Sequence, residues 1–564
     1  MDCERKTKVM SDAGILDEMK IVTVTPQLGN DSADEFFLKC AKTASLLGIV
    51  ISEPKKKGHL YLPQPRIAVL SLLITIKNRL PSIDRPWNSC LQPDFLSSRG
   101  VNMSAVLLIV AVLLAFLYFY LHKNTNLPPD PIPWPILGNF PPIIIAGWRG
   151  TPSVEVFKRW HRKYGNVYTF WMGPIATVHV VDYRTAVEAY VKNSDVHAGR
   201  MHMWQLELTR GNKGLVFSDG QEWIEQRPPF FDLLIGSIIN NVLVGYRFDE
   251  SRENEFFSLK HNLDKQISGA SMIDHVLLTP TTIKWPWFRN RWDKWLEPMR
   301  FANGFIRKSI DERIDSIERG AYQLDDSGHG NDYIDAYLIE MNRRRRSGEH
   351  LGSFSIDNLV HNMADLWMAG METTVLTLLW GFIFFLNDLS VQDTLRAEIG
   401  EITNGQRFVK MSDRASLPYA SAVVTEVHRC SRLANFTLFH RTTEDCLVGG
   451  YKIAAGTLTV PQFSVISHDE DVFDRPDTFN PDRFMGENRK ELEQNVAIFG
   501  LGKRACLGEG LARAELFLTI TNMIQRFKFS VVPGELPPTR KAESDGGSMM
   551  NRPRRYRIQI EKCE

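Results

Sequence analysis

Cysteine is too scarce and too scattered to staple this chain. Seven occur in 564 residues (Cys3, Cys40, Cys90, Cys430, Cys446, Cys506 and Cys563), and no two form a CxxC pair. An odd, irregularly spaced set excludes a disulfide framework and gives no support to a structural zinc site, and it fits a reducing compartment. Net charge is missing too: 67 basic and 66 acidic residues leave +1. Without a basic footprint there is no argument for nucleic acid as a partner. The sequence has no GxGxxG fingerprint and no internal repeat, so nothing in it reads as a dinucleotide-binding unit or a solenoid. What remains is an ordinary globular balance, 43% apolar and 24% charged, in a chain long enough to bury a large core.

Long apolar runs are also rare, with one exception. Residues 101–121 carry no formal charge, and AVLLIVAVLLAFLYFYL at 105–121 is apolar on every face. A bilayer core needs roughly 20 such residues in a helix, so 103–123 reads as a transmembrane anchor. Tyr118 and Tyr120 stand at one end, before His122 and Lys123. Five prolines between Leu127 and Asn139 forbid a helix and favour a stiff extended linker over 124–140. The preceding 1–102, with 14 basic and 11 acidic residues and no clear period, reads as an unassigned extension. Met103 is the expected natural start.

From 141 to 564 the patterns predict one large domain, mainly α with a minor β part (an α+β chain). Short β-like runs flank Gly173-Pro174 at 167–181, and strands are expected at 448–460 with Gly449-Gly450 as a turn. Helical periodicity dominates 231–401. The four arginines Arg343, Arg344, Arg345 and Arg346 read as a solvated loop.

The informative segment is FGLGKRACLGE at 499–509. It fits FxxGxRxCxG at Phe499, Gly502, Arg504, Cys506 and Gly508, a set that would match by chance in roughly one chain of this length in several thousand. A thiolate that ligates iron in a porphyrin needs backbone able to approach the macrocycle closely, which glycine permits. Backbone N–H groups near the sulfur tune its donor strength. A guanidinium two residues away suits a carboxylate. The bland alternative is a structural cysteine in a Gly-rich turn. The segment resembles the haem-binding loop of the cytochrome P450 family, and the resemblance covers residues 103–564. It is nearest the animal microsomal members, which share the anchor and proline-rich spacer.

That resemblance implies further residues in a fixed order. AGMETT at 369–374 lies in a helical pattern over about 357–386 and corresponds to the family's AGxxT segment, with Glu372 and Thr373 as an acid–alcohol pair for proton delivery. Glu426 and Arg429 form ExxR on one face of a helix predicted over 421–433, with Arg483 as the later arginine that completes a structural support for the haem loop. Trp223 and Arg227 form WxxxR, and with Arg504, His440 and Arg200 they are the expected propionate partners. Phe499 and Gly502 shape the loop, and Cys506 is the metal ligand. The implied cofactor is haem b. The implied function is monooxygenation: one atom of O2 enters a lipophilic small molecule such as a xenobiotic, fatty acid or steroid-like compound. The electron donor is then an NADPH-dependent flavoprotein reductase, with cytochrome b5 as a second partner. The expected location is the endoplasmic reticulum membrane, catalytic domain cytosolic. The segments 196–214 and 277–305 are expected to form pocket and lid.

One place departs from the family pattern. After Arg227 the chain runs PPFFDLLIG at 228–236, where a relative would continue the helix and add another. Pro228 disfavours helix at Arg227, and a few dozen residues are expected to be absent. Two other readings follow: a haem-thiolate isomerase or dehydratase that needs no reductase, and a non-catalytic, membrane-tethered haem-binding protein inactivated by the shortening.

Overall fold

The computed structural model describes Lys20–Ile21 and residues 127–134, 136–211, 213–218, 243–245, 278–324, 330–435, 437–542 and 550–563, with Ser258 and Asn262. The predicted anchor, nearly all of the 1–102 extension, and Trp223, Arg227 and Pro228 lie outside the described residues.

Helices dominate, as the periodicity predicts. In chain order they are α1 (Phe140–Trp148), α2 (Ser153–Tyr164), α3 (Tyr183–Val187), α4 (Trp204–Arg210), α5 (Pro286–Glu318), α6 (Tyr333–Ser347), α7 (Ile356–Asn387), α8 (Ser390–Thr403), α9 (Pro418–Ser431), α10 (Phe463–Ile466), α11 (Arg489–Asn495) and α12 (Glu509–Arg526). The minor β part comprises β1 (Lys20–Ile21), β2 (Val167–Met172), β3 (Ile175–Val180), β4 (Gly199–Arg200), β5 (His440–Arg441), β6 (Cys446–Val448), β7 (Tyr451–Ile453), β8 (Leu458–Pro461), β9 (Phe527–Ser530) and β10 (Gln559–Lys562). The largest sheet has the order β2-β3-β8-β5-β4, with β3 and β8 parallel and its other pairs antiparallel. The smaller sheets are β1-β10-β9 and the hairpin β6-β7. The hairpin turns at Gly449 and Gly450 with φ of 55° and 84°, the doubly positive turn that matches strand twist.

Helix α7 is the spine. Ser355 caps it, its hydroxyl accepting from the Asn358 N–H at 3.1 Å. Its apolar half from Val375 to Leu386 is buried on every face, so this helix is long and apolar enough to cross a membrane yet lies mostly inside the protein. It is a core helix. Around it pack α8, α9 and α12, joined by Ile383, Leu395, Val427 and Ile520, each contributing about 1.5–3 kcal/mol by leaving water.

The four arginines at 343–346 differ from expectation. They form the last turn of α6, not a loop. Arg343 ion-pairs with Glu340 and Glu349, and Arg344 with Glu340, all at 2.8 Å. Cationic side chains suit the carbonyl end of a helix, and Gly348 closes it in the left-handed conformation at φ 72°.

Candidate functional site

Cys506 sits on the loop that feeds α12, and the loop's shape is set by local geometry. Its N–H donates to the Phe499 carbonyl at 2.6 Å. Gly500 and Gly502 take φ of 83° and 70°. A Cβ on Gly502 would lie 1.6 Å from the Tyr190 carbonyl oxygen, so this glycine is required both for its backbone angle and for close approach. Phe499 meets the His428 ring edge-on at 5.0 Å and lies under the Arg513 guanidinium at 4.9 Å.

The Cys506 thiol is exposed, yet it lies in a recess with enough surrounding protein that burial pushes its pKa up. The N–H groups of Gly508 and Glu509 work against that rise, and the Glu509 carboxylate adds to it. Those two N–H groups open the eighteen-residue α12. A helix start aimed at a sulfur favours the thiolate, and a metal cation at the sulfur removes the proton outright. Among the described residues no three His, Cys, Asp or Glu side chains converge on a metal-sized site.

Three expected propionate partners come together. Arg200 and His440 are register partners across β4 and β5. Arg504 donates from Nε to the Ala198 carbonyl and from Nη2 to the Ser218 carbonyl, each at 2.8 Å. His440 Nδ1 lies 2.7 Å from the His197 carbonyl. Burial holds the His440 pKa well below its ordinary value, with Arg200 and Arg504 among the further causes. An imidazole kept neutral beside two guanidinium groups is a donor set suited to carboxylates.

The ExxR network is fully bonded. Glu426 bonds Arg429 through both carboxylate oxygens, at 2.7 and 2.8 Å. It also accepts from Arg483 Nε at 3.0 Å and from the Asn480 N–H at 2.9 Å. Arg429 reaches the Ser467 and Pro476 carbonyls at 3.1 and 2.7 Å. Glu426 and Arg429 are fully buried and Arg483 nearly so. A buried carboxylate between two guanidinium groups holds only when each polar atom has partners, and here they do.

The acid–alcohol pair separates. Thr373 is half-buried, and its hydroxyl donates back to the Ala369 carbonyl at 2.5 Å. Glu372 leaves the helix about 100° around and is buried, with Arg552 Nη2 at 2.8 Å from its carboxylate. Sequence reasoning did not find Arg552, because it stands among Arg554, Arg555 and Arg557 in a segment without pattern. It also missed Glu515, a half-buried carboxyl on α12 whose pKa is pushed up to about 7 by loss of water around it, against the opposing effect of the Thr374 hydroxyl. Glu515 and Thr374 tie the helix after Cys506 to the helix of Thr373.

An accessible thiol at a helix start, a neighbouring anion-receptive cluster and a fully bonded ExxR network agree with the arrangement expected of a haem-thiolate protein. Residues 128–236 and 229–560 match the family model described as cytochrome P450, and the chain belongs to that family. "Probable cytochrome P450 cyp-35D1" of Caenorhabditis elegans is 29% identical over 473 residues, covering 75% of this chain and 93% of that protein. "Cytochrome P450 2B19" of Mus musculus is 30% identical over 479 residues, covering 76% and 93%. "Cytochrome P450 2U1" of Homo sapiens is 26% identical over 518 residues, covering 80% and 93%. Family membership makes the chain a haem-thiolate oxidoreductase of the monooxygenase type that acts on a lipophilic molecule.

Proposed function

We propose that this protein is a membrane-anchored monooxygenase that inserts one atom of O2 into a lipophilic small molecule. It takes electrons from an NADPH-dependent flavoprotein reductase, with cytochrome b5 as a second donor. It is held in the endoplasmic reticulum membrane by 103–123, with its catalytic domain cytosolic. The carrying observation is Cys506, accessible on a glycine-shaped loop at the start of α12. The residues fit haem b, which supplies the oxygen chemistry that no side chain provides. Cys506 would ligate the haem iron. Arg504, Arg200 and His440 would receive the propionates, with Trp223 and Arg227 assigned to them by resemblance. Glu426, Arg429 and Arg483 keep the ligand loop in place. Thr373 holds and passes a proton at Oγ1, while Glu372, turned away from it on the helix, is held by Arg552. The presence of Thr373 where the resemblance places proton delivery favours this reading over an isomerase or dehydratase, which has no use for it.

A second reading rests on the junction after Arg227. The family match comes in two stretches that meet at 229–236, where the sequence abandons its helical pattern. This supports a missing segment there and hence a tethered haem-binding chain without turnover. Turnover separates the readings. The haem-loaded full chain, with NADPH, the reductase and a fluorogenic alkyl aryl ether, is expected to release the phenol. Thr373→Ala lowers the phenol formed per NADPH by roughly 10²-fold, while the reduced carbon-monoxide spectrum stays as it was. Haem-loaded chain that consumes no NADPH with any lipophilic probe overturns the monooxygenase reading and favours the second.

A further inference from the structure

A cavity of about 200 Å³ with a mixed polar and apolar lining lies away from the Cys506 loop, between the start of α2, the ends of α7 and α9 and the segment 540–542. It has room for about six water volumes. Its wall carries Arg432, Arg540 and Lys541 against one carboxylate, Asp477. Asp477 is already engaged, by an ion pair with Arg432 and by Lys158 Nζ at 3.8 Å. Lys158 also neutralises Glu155, the acid of the α2 first turn, at 3.8 Å.

Two further features point the same way. Ser153 and Val154 line the cavity and open the twelve-residue α2, whose N-cap is Pro152 with no side-chain cap bond. The helix start therefore offers uncapped N–H donors and a positive dipole end. Independently, His468 lines the cavity, is 2% exposed, and its Nδ1 is buried without a partner. Arg432 Nε donates to His468 Nε2 at 2.8 Å, so Nε2 is the acceptor and the neutral ring carries its proton on Nδ1. Burial, followed by Arg432, Arg429, Lys158 and Arg483, holds the His468 pKa well below its ordinary value. Nδ1–H is therefore a buried donor with nothing to donate to, and such groups demand an explanation. Asn435, which also lines the cavity, gives its amide N–H to the Ser153 hydroxyl at 3.0 Å and leaves Oδ1 unpartnered. One acceptor among the donors suits an oxyanion that carries a proton.

We infer that this cavity binds a phosphate group, as inorganic phosphate or a phosphate monoester, between Arg432, the start of α2 and the rim residues Arg540 and Lys541. The shared chemistry is a tetrahedral oxyanion, and its source is either a free metabolite or a lipid headgroup.

Isothermal titration of the haem-loaded full chain with inorganic phosphate, at ionic strength held constant with chloride, tests this. Saturable one-to-one binding is expected. Arg432→Gln weakens it roughly 10- to 100-fold, the loss for a charge-assisted bond. Arg432 also holds Asp477, so a second variant guards against misfolding. Arg540→Ser with Lys541→Ser alters two exposed residues and is expected to weaken binding without changing the unfolding temperature. Glycerol 3-phosphate, and phosphatidylcholine vesicles with and without phosphatidic acid, separate the sources. A phosphatidic acid preference lost in the double variant assigns a headgroup, and equal affinity for the two soluble phosphates without that preference assigns a free ligand. Absence of saturable binding, or affinity unchanged in both variants, overturns the inference.

Discussion

Glu426→Ala is expected to release the ligand loop from the body of the protein. The substitution leaves Arg429 fully buried and Arg483 nearly so, with no carboxylate between them. Breaking a buried pair from one side is destabilising by about 3–5 kcal/mol, a large share of the ~5–15 kcal/mol that holds a folded domain. The damage is also local. Glu426 accepts the Asn480 N–H at 2.9 Å, and Arg429 holds the Ser467 and Pro476 carbonyls at 3.1 and 2.7 Å. Its loss therefore frees the stretch that leads towards residue 499. Equilibrium unfolding and haem content after gel filtration check this together: the midpoint falls and haem is lost. Glu426→Gln, which keeps an acceptor but not the charge, falls between the two. A midpoint unchanged in Glu426→Ala would show that the network holds nothing.

Gly502→Val is the second large effect, and it acts without touching a charge. The added Cβ would meet the Tyr190 carbonyl oxygen at 1.6 Å and its carbon at 2.7 Å. A β-branched residue at φ 70° is also strained, by about 1–3 kcal/mol. The neighbour cannot yield, because Tyr190 is 1% exposed, inside the π-turn Glu188–Lys192, with its ring against His440 at 4.8 Å. The loop must shift instead, carrying Cys506 and Arg504 with it. Haem incorporation is expected to fail while far-ultraviolet circular dichroism stays helical. Gly400→Ala, in α8 where a Cβ meets nothing within 4 Å, serves as the control and is neutral or slightly stabilising. Equal haem content in the two variants would contradict the role given to Gly502.

Much of this was legible from sequence wherever the signal is local. The long helix expected at 357–386 is Ile356–Asn387, and the strands around Gly173 and Gly449-Gly450 lie where alternation and turn residues put them. The ligand loop was readable because its fixed residues fall within eleven positions. Arg483 was reachable only through resemblance, since nothing at 483 names a partner at 426. The arginines at 343–346 were misread because their carboxylate partners, Glu340 and Glu349, and the left-handed cap at Gly348 decide helix over loop. Arg552 beside Glu372, Glu515 beside Thr374 and the His468 cavity were not legible. Each joins segments distant in the chain through tertiary packing that no periodicity encodes.

The most direct test of the account is the reduced carbon-monoxide difference spectrum of the haem-reconstituted full chain beside its Cys506→Ser variant. Thiolate donation sets the band position, so the unaltered chain is predicted to show the red-shifted, thiolate-type Soret band and Cys506→Ser to lose it. Persistence of that band in Cys506→Ser, or its absence from a haem-loaded unaltered chain, would contradict the assignment of Cys506 as the iron ligand.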